Sequence, residues 1–150
     1  MDRNLLNTNV VAQIGVVVKD IEKTSQAIAD FFGMDKPEII MTPSREKAKT
    51  VFRGQPTEAR AKLAFFQLGN LQLELIEPDG KPSTWKEFLD ERGEGVHHLA
   101  FRITGMKEKI ERLNKNGIPL IQSGEYPGGR YAYLDAGDVL RMIVELVEND

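Results

Sequence analysis

The chain has 150 residues, enough for one domain, and at that length about 68–70% of the unfolded surface can be buried without covalent staples. Twenty Lys and Arg stand against 23 Asp and Glu, a net charge of −3 that argues against a protein built to grip the phosphate backbone of nucleic acid. Cysteine is absent and histidine is confined to His97 and His98, which excludes disulfide frameworks, thiolate zinc sites, iron–sulfur clusters and cysteine nucleophiles.

Met1 to Asn9 is polar and mixed, with no basic segment leading into a long apolar run, and no stretch approaches the roughly 20 apolar residues of a bilayer-spanning helix. The expectation is a cytoplasmic protein with no membrane partner. Val11 to Lys19 is short and β-branched and reads as a strand. Asp20 is placed to cap a helix over Ile21 to Phe32, with a packing stripe of Ile21, Ile28, Phe31 and Phe32, and Gly33 as its stop. A strand follows over Glu38 to Thr42. Pro43 to Glu58 is dense in charge and broken by Pro43, Gly54 and Pro56, and carries no period that assigns a structure. Ala61 to Leu68 and Leu71 to Glu77 are strands joined at the hairpin signal Gly69-Asn70. After the loop Pro78 to Pro82, Thr84-Trp85-Lys86-Glu87 fits a capping box opening a short helix that runs out near Gly93, with Trp85 read as core.

Past Gly93-Glu94-Gly95 the order begins again. Val96 to Thr104 is a strand, Met106 to Asn116 a helix stopped by Gly117, and Ile118 to Gln122, Arg130 to Asp135 and Val139 to Val147 are three further strands. The halves match: each opens on a strand leading into a helix, and each closes on an apolar-Glu-Leu triplet, Leu73-Glu74-Leu75 and Val144-Glu145-Leu146. Gln13 and Glu74 are 61 positions apart and His98 and Glu145 are 47 apart, a difference of 14 that fits an insertion within Pro43 to Glu58. The predicted fold is α+β: one domain over residues 1–150, made of βαβββ modules at 11–77 and 96–147 joined by a linker helix within 78–95 and sharing one core.

Strand alternation then sorts the polar residues. Ile14, Val16 and Val18 form one face, against Gln13, Gly15 and Val17. Leu73 and Leu75 leave Gln72, Glu74 and Ile76 opposite. Leu99, Phe101 and Ile103 leave His98, Ala100 and Arg102. Val144 and Leu146 leave Ile143, Glu145 and Val147. One metal-capable group per strand, Gln13, Glu74, His98 and Glu145, thus falls on the face turned from the helices. A carboxylate buried there unpaired costs several kcal/mol. An amide oxygen, two carboxylates and an imidazole suit one divalent ion such as zinc, nickel, cobalt or manganese. His97 falls on the other face and reads as a packing or strand-end residue. Arg102 shares the polar face and is available to an anionic group of a ligand.

The paired βαβββ modules, Gln13-Ile14-Gly15-Val16-Val17-Val18-Lys19-Asp20, Gly95-Val96-His97-His98-Leu99-Ala100-Phe101 and the two Glu-Leu endings resemble the vicinal oxygen chelate superfamily of glyoxalase I, methylmalonyl-CoA epimerase, extradiol dioxygenases and bleomycin-resistance proteins. The resemblance covers Val11 to Val147. It implies sheets curled into a cup, with Gln13, Glu74, His98 and Glu145 around the ion. It also implies an isomerase or lyase that moves a proton beside a carbonyl through a metal-stabilised enolate or enediolate, with Glu145 and Glu74 as the catalytic carboxylates. Order and spacing are similar to methylmalonyl-CoA epimerase, whereas the Gln, Glu, His, Glu set is similar to glyoxalase I (lactoylglutathione lyase), so the substrate is a thioester or a hemithioacetal. Gln13 departs from the two-histidine iron site of the dioxygenases. Gly128-Gly129-Arg130 resembles the family's loop over the substrate, which makes Arg130 a second candidate substrate residue. A homodimer is common in the family and is expected here. The other class of reading is a metal-free small-molecule binding protein of the bleomycin-resistance type.

Overall fold

Alternation of apolar and polar residues along short strands needs one buried and one accessible face, and a single curled sheet supplies both. The computed structural model describes residues 1–150. Its elements are β1 (Gln13–Val17), α1 (Ile21–Phe32), β2 (Ile40–Met41), α2 (Arg45–Ala48), β3 (Val51–Phe52), β4 (Gln55–Pro56), β5 (Ala61–Leu68), β6 (Leu71–Pro78), α3 (Thr84–Arg92), β7 (Gly95–Arg102), α4 (Met106–Lys115), β8 (Leu120–Tyr126), β9 (Gly129–Ala136), α5 (Gly137–Leu140) and β10 (Met142–Asn149). The strands form one mixed sheet in the order β2-β5-β6-β1-β7-β10-β9-β8-β3-β4. β1 is parallel to β6 and β7 is parallel to β10, while β1 and β7 meet antiparallel at the seam between the halves. The predicted α+β class and curved mixed sheet are what the chain adopts.

The convex face carries two helices. α1 covers Val18, Ala64, Phe66 and Leu75 with Ile21 and Ala29, and α4 covers Leu134, Val144 and Leu146 with Met106 and Leu113. Each fully buried Leu, Ile or Phe in these layers contributes about 1.5–3 kcal/mol. A third cluster, containing Val17, Ile76, Trp85, Ile121 and Tyr133, lies within the curl and is closed off by α3. Asp20 caps α1 by accepting from Lys23 N at 3.1 Å, and Gly33 ends it at φ 67°. No helix is long and apolar enough to cross a membrane.

Several local readings of the sequence change. Phe31 and Phe32 do not join the stripe of α1. They are 81% and 51% exposed and pack on each other edge to face at 4.9 Å, while Ser25 and Ala29 complete the buried side. Ser83, one residue before the expected cap, caps α3 by accepting from Lys86 N at 3.0 Å, which frees Thr84 for interior contacts. Val139 and Leu140 belong to the single turn α5 and not to the last strand. Gly137 N–H donates to Asp135 Oδ1, and Arg141 at φ 64° redirects the chain into β10. The unassigned segment holds α2 and the β3–β4 hairpin, elements too short to leave a period. Val51 and Phe52 pair with Ser123 and Gln122, so residues 42–50 cross from β2 at one end of the sheet to β3 near the other.

Candidate metal centre and ligand cavity

Four adjacent strands, in the order β6-β1-β7-β10, each turn one polar side chain into the cup: Glu74, Gln13, His98 and Glu145. His98 Nε2 lies 3.2 Å from Glu145 Oε1, 3.6 Å from Glu74 Oε1 and 2.9 Å from Gln13 Oε1. Ligating atoms of Glu74, His98 and Glu145 all fall within 4.8 Å of one another, and all three residues are buried. The four residues that strand phasing selected therefore converge.

Glycine 15 makes that convergence possible. It sits opposite both Glu74 and His98 in the two ladders, and a Cβ there would stand 2.0 Å from His98 Cε1, so the imidazole lies directly over the bare backbone of β1.

His97 departs from the expectation of a regular strand. The register between β1 and β7 slips after Gly15, with Gly15 opposite His98 and Val16 opposite Val96, so His97 is an extra, bulged residue. Its ring is buried against Phe88 and Tyr133, and its Nδ1 lies 2.9 Å from His98 Nδ1 while its Nε2 lies 3.2 Å from Thr84 Oγ1. Burial, and then the neighbouring His98, hold the His97 pKa well below 6.5, so its imidazole is neutral near pH 7. When His98 Nδ1–H donates to His97 Nδ1 and His97 Nε2–H donates to Thr84, the lone pair of His98 Nε2 is left facing the carboxylates.

The donor set fits a divalent cation. Gln13 Nε2 donates to Gln72 Oε1 at 2.7 Å, which turns the Gln13 carbonyl inward so that three oxygens and one nitrogen lone pair confront each other. Rotating the amide would let its nitrogen donate to Glu145 Oε1 at 3.1 Å and Glu74 Oε1 at 3.3 Å, but would set two oxygens 2.7 Å apart at Gln72. Four converging acceptors repel one another unless positive charge lies between them. Burial, and then Glu145, push the Glu74 carboxyl well above its ordinary 4.5. A dication removes that penalty, and an O/O/O/N set suits a hard-to-borderline ion.

Gln13, Glu74 and Glu145 line a cavity of about 530 Å³, within the range of small-molecule sites. Arg102 is the only Lys or Arg on its wall, is exposed, and forms no ion pair. Arg130 is not brought to the cavity. Its strand neighbours Tyr131 and Tyr133 line the wall, so alternation turns Arg130 outward, where Glu148 Oε1 accepts from it at 3.0 Å and Asp150 pairs with its other nitrogen. Trp85 is both core and wall: it is 3% exposed, and its Nε1 donates to Tyr133 Oη at 3.1 Å. The two tyrosines escaped the sequence reading. The alternation in Tyr131-Ala132-Tyr133 was the available signal, since it puts both rings on one face. Burial, reinforced by Glu145 and Glu74, raises the pKa of both phenols, so they stay protonated.

Residues 12–133 match the profile of the Glyoxalase/Bleomycin resistance protein/Dioxygenase superfamily. The chain is 33% identical over 96 residues to the uncharacterized protein YqjC of Bacillus subtilis, covering 61% of this chain and 67% of that protein. It is 26% identical over 106 residues to mitochondrial methylmalonyl-CoA epimerase of Mus musculus, which covers 70% of this chain but only 52% of the mouse protein. Methylmalonyl-CoA epimerase from Mycobacterium tuberculosis superposes with a TM-score of 0.63 at 21% identity, over 100% of this chain and 93% of that one. A Streptomyces coelicolor methylmalonyl-CoA epimerase, solved in complex with 2-nitronate-propionyl-CoA, gives 0.61 at 20% identity over 93% and 96%. With the family profile spanning most of the sequence, the chain belongs to the glyoxalase/bleomycin resistance protein/dioxygenase superfamily.

Proposed function

We propose that the protein is a divalent-cation-dependent isomerase that moves a proton on the carbon next to the carbonyl of a thioester, in the manner of an epimerase. The observation that carries this reading is the placement of Glu74 and Glu145. They come from β6 and β10, on either side of the β1–β7 seam, and converge on His98 from opposite flanks. Inverting a carbon requires a proton to leave one face and another to arrive at the opposite face, and two buried carboxylates on one cavity supply that pair.

Gln13, Glu74, His98 and Glu145 would hold the cation, and when bound it supplies a Lewis acid for the carbonyl oxygen, weakening the adjacent C–H bond. Glu145 takes the proton from one face and Glu74 returns one to the other. Thr84 and His97 keep His98 aimed, and Gln72 keeps the Gln13 carbonyl turned inward. Arg102, the one cation of the wall, receives an anionic group at the remote end of the substrate. The mouse and bacterial epimerases support a thioester substrate.

The test is exchange of solvent deuterium into the α-carbon of methylmalonyl-CoA with added zinc, nickel, cobalt or manganese. Exchange that requires the metal and disappears in Glu145→Gln is expected, and metal-independent exchange refutes the reading. A second reading has one observation in its favour: an amide and a glutamate at Gln13 and Glu74, the glyoxalase I combination. Turnover of the methylglyoxal–glutathione hemithioacetal in place of methylmalonyl-CoA would establish it. Failure to bind any divalent ion would instead favour a metal-free binding protein.

A further inference from the structure

The two phenols of β9 have unspent hydrogen-bonding capacity. Tyr133 Oη meets Trp85 Nε1 at 3.1 Å and Tyr131 Oη meets Gln122 Nε2 at 3.1 Å. Neither bond has a free direction. An indole nitrogen only donates. The Gln122 amide is fixed because its Oε1 accepts the backbone N–H of Thr84 at 2.9 Å, so its nitrogen end meets Tyr131. Both hydroxyls are therefore acceptors in these bonds, each keeps its own O–H proton, and neither finds a protein acceptor for it. The third tyrosine differs: Tyr126 O–H donates to Asn149 Oδ1 at 2.5 Å.

The two rings stand side by side, with centroids 5.2 Å apart, on the wall next to Glu145, which is the ladder partner of Tyr133. Gly124 on β8 leaves the space for Tyr131, because a Cβ there would lie 2.7 Å from the phenol oxygen. Tyr133 is buried and Tyr131 half-buried, both on the cavity wall, so a phenolic proton without a protein acceptor is left to whatever fills the cavity. We propose that Tyr131 and Tyr133 form an oxygen subsite of the cavity, in which the two free O–H groups donate to an anionic oxygen of the ligand. The subsite rests on the reading of this cavity as the substrate site. It adds that the substrate presents a carboxylate or enolate-type oxygen to β9.

Malonate is the probe, titrated into zinc-loaded protein whose tyrosines carry carbon-13 at Cζ. The resonances of Tyr131 and Tyr133 are expected to move while that of Tyr126 stays. Tyr131→Phe and Tyr133→Phe each weaken malonate by about tenfold or more, the loss of one hydrogen bond to a charged group. Tyr126→Phe leaves the affinity unchanged, and neutral malonamide does not compete. Equal effects in all three variants, or resonances of Tyr131 and Tyr133 that do not move, overturn the subsite. The labelled wild-type chain decides the matter even where a Phe variant, which orphans the Trp85 or Gln122 donor, fails to fold. If the resonances move but methylmalonyl-CoA takes up no deuterium, the proton-transfer reading falls and the subsite stands. If deuterium enters while the resonances stay still, the subsite alone falls.

Discussion

Replacing Gly15 by alanine separates the donor cluster from the fold that carries it. Gly15 is not among the residues with positive φ, so alanine adopts its backbone conformation and the perturbation is the added methyl group alone. That methyl would stand 2.0 Å from His98 Cε1, where ordinary contact begins at 3.4 Å, so the imidazole must retreat by about 1.4 Å or tilt off β1. Either motion breaks the 2.9 Å bond to His97 and the approach of Nε2 to Glu145 at 3.2 Å. Forcing a group into a packed interior costs about 1–3 kcal/mol of stability. Misplacing a donor weakens metal binding by at least the 10–100-fold typical of a lost orienting contact. Isothermal titration with cobalt(II), beside thermal unfolding of the metal-free protein, reads the two effects separately. A Gly15→Ala protein that binds cobalt like the wild type would refute the placement of His98 in the donor set.

Glu145→Gln is expected to keep the fold and to lose deuterium exchange into methylmalonyl-CoA; exchange at the wild-type rate would remove Glu145 from proton transfer. In the metal-free protein Glu74 should contribute a loss of thermal stability as pH rises. The folded-state pKa of Glu74 is raised, so the native state holds its proton in a window opening at 4.5 and extending upward, and stability declines across that window. Saturating zinc should abolish the decline. His97, held below 6.5, acts in the opposite sense up to that pH, so the reference is Glu74→Gln: a pH dependence of melting identical in the two metal-free proteins would contradict the raised value. His97→Phe removes the acceptor behind His98 and should weaken cobalt binding by about 10–100-fold, with His97→Asn retaining part of the affinity. Equal affinities in all three proteins would limit His97 to packing. Arg102→Ala should raise KM for methylmalonyl-CoA with little change in kcat, because its contact is made equally in ground and transition states; a fall in kcat alone would place Arg102 elsewhere.

Strand phasing carried far where strands are regular. Of the residues assigned to the inner face of β1, β6, β7 and β10, seven line the cavity and Val17, Ile76 and Ile143 lie in the cluster beneath it, because a period of two admits no intermediate answer. Phasing failed at His97, where one bulged residue brings two consecutive imidazoles into contact, and no composition signal marks a bulge. At Arg130 phasing was right and was not applied. A resemblance between loops suggested the residue, while the parity of Tyr131 and Tyr133 had already turned it outward. Residues 43–58 were illegible because two-residue strands exist only through their partner, here β8 on the far side of the sheet. Val139 and Leu140 looked like strand because both are apolar; the turn that claims them is closed by the Arg141 N–H donating to the carbonyls of Ala136 and Gly137.

The crossing of residues 42–50 also governs how the molecule can come apart. The first half of the chain supplies the terminal strands at both ends of the sheet, β2 at one end and β3–β4 at the other, with every strand of the second half between them. The second half is thus bracketed like a page between covers. It cannot be expressed alone without losing the β3–β8 ladder and exposing the edge of β8. A chain split near Gly93 would have to re-form contacts at two separate places to rebuild one cup, so reassembly from halves should be a stringent, all-or-none event.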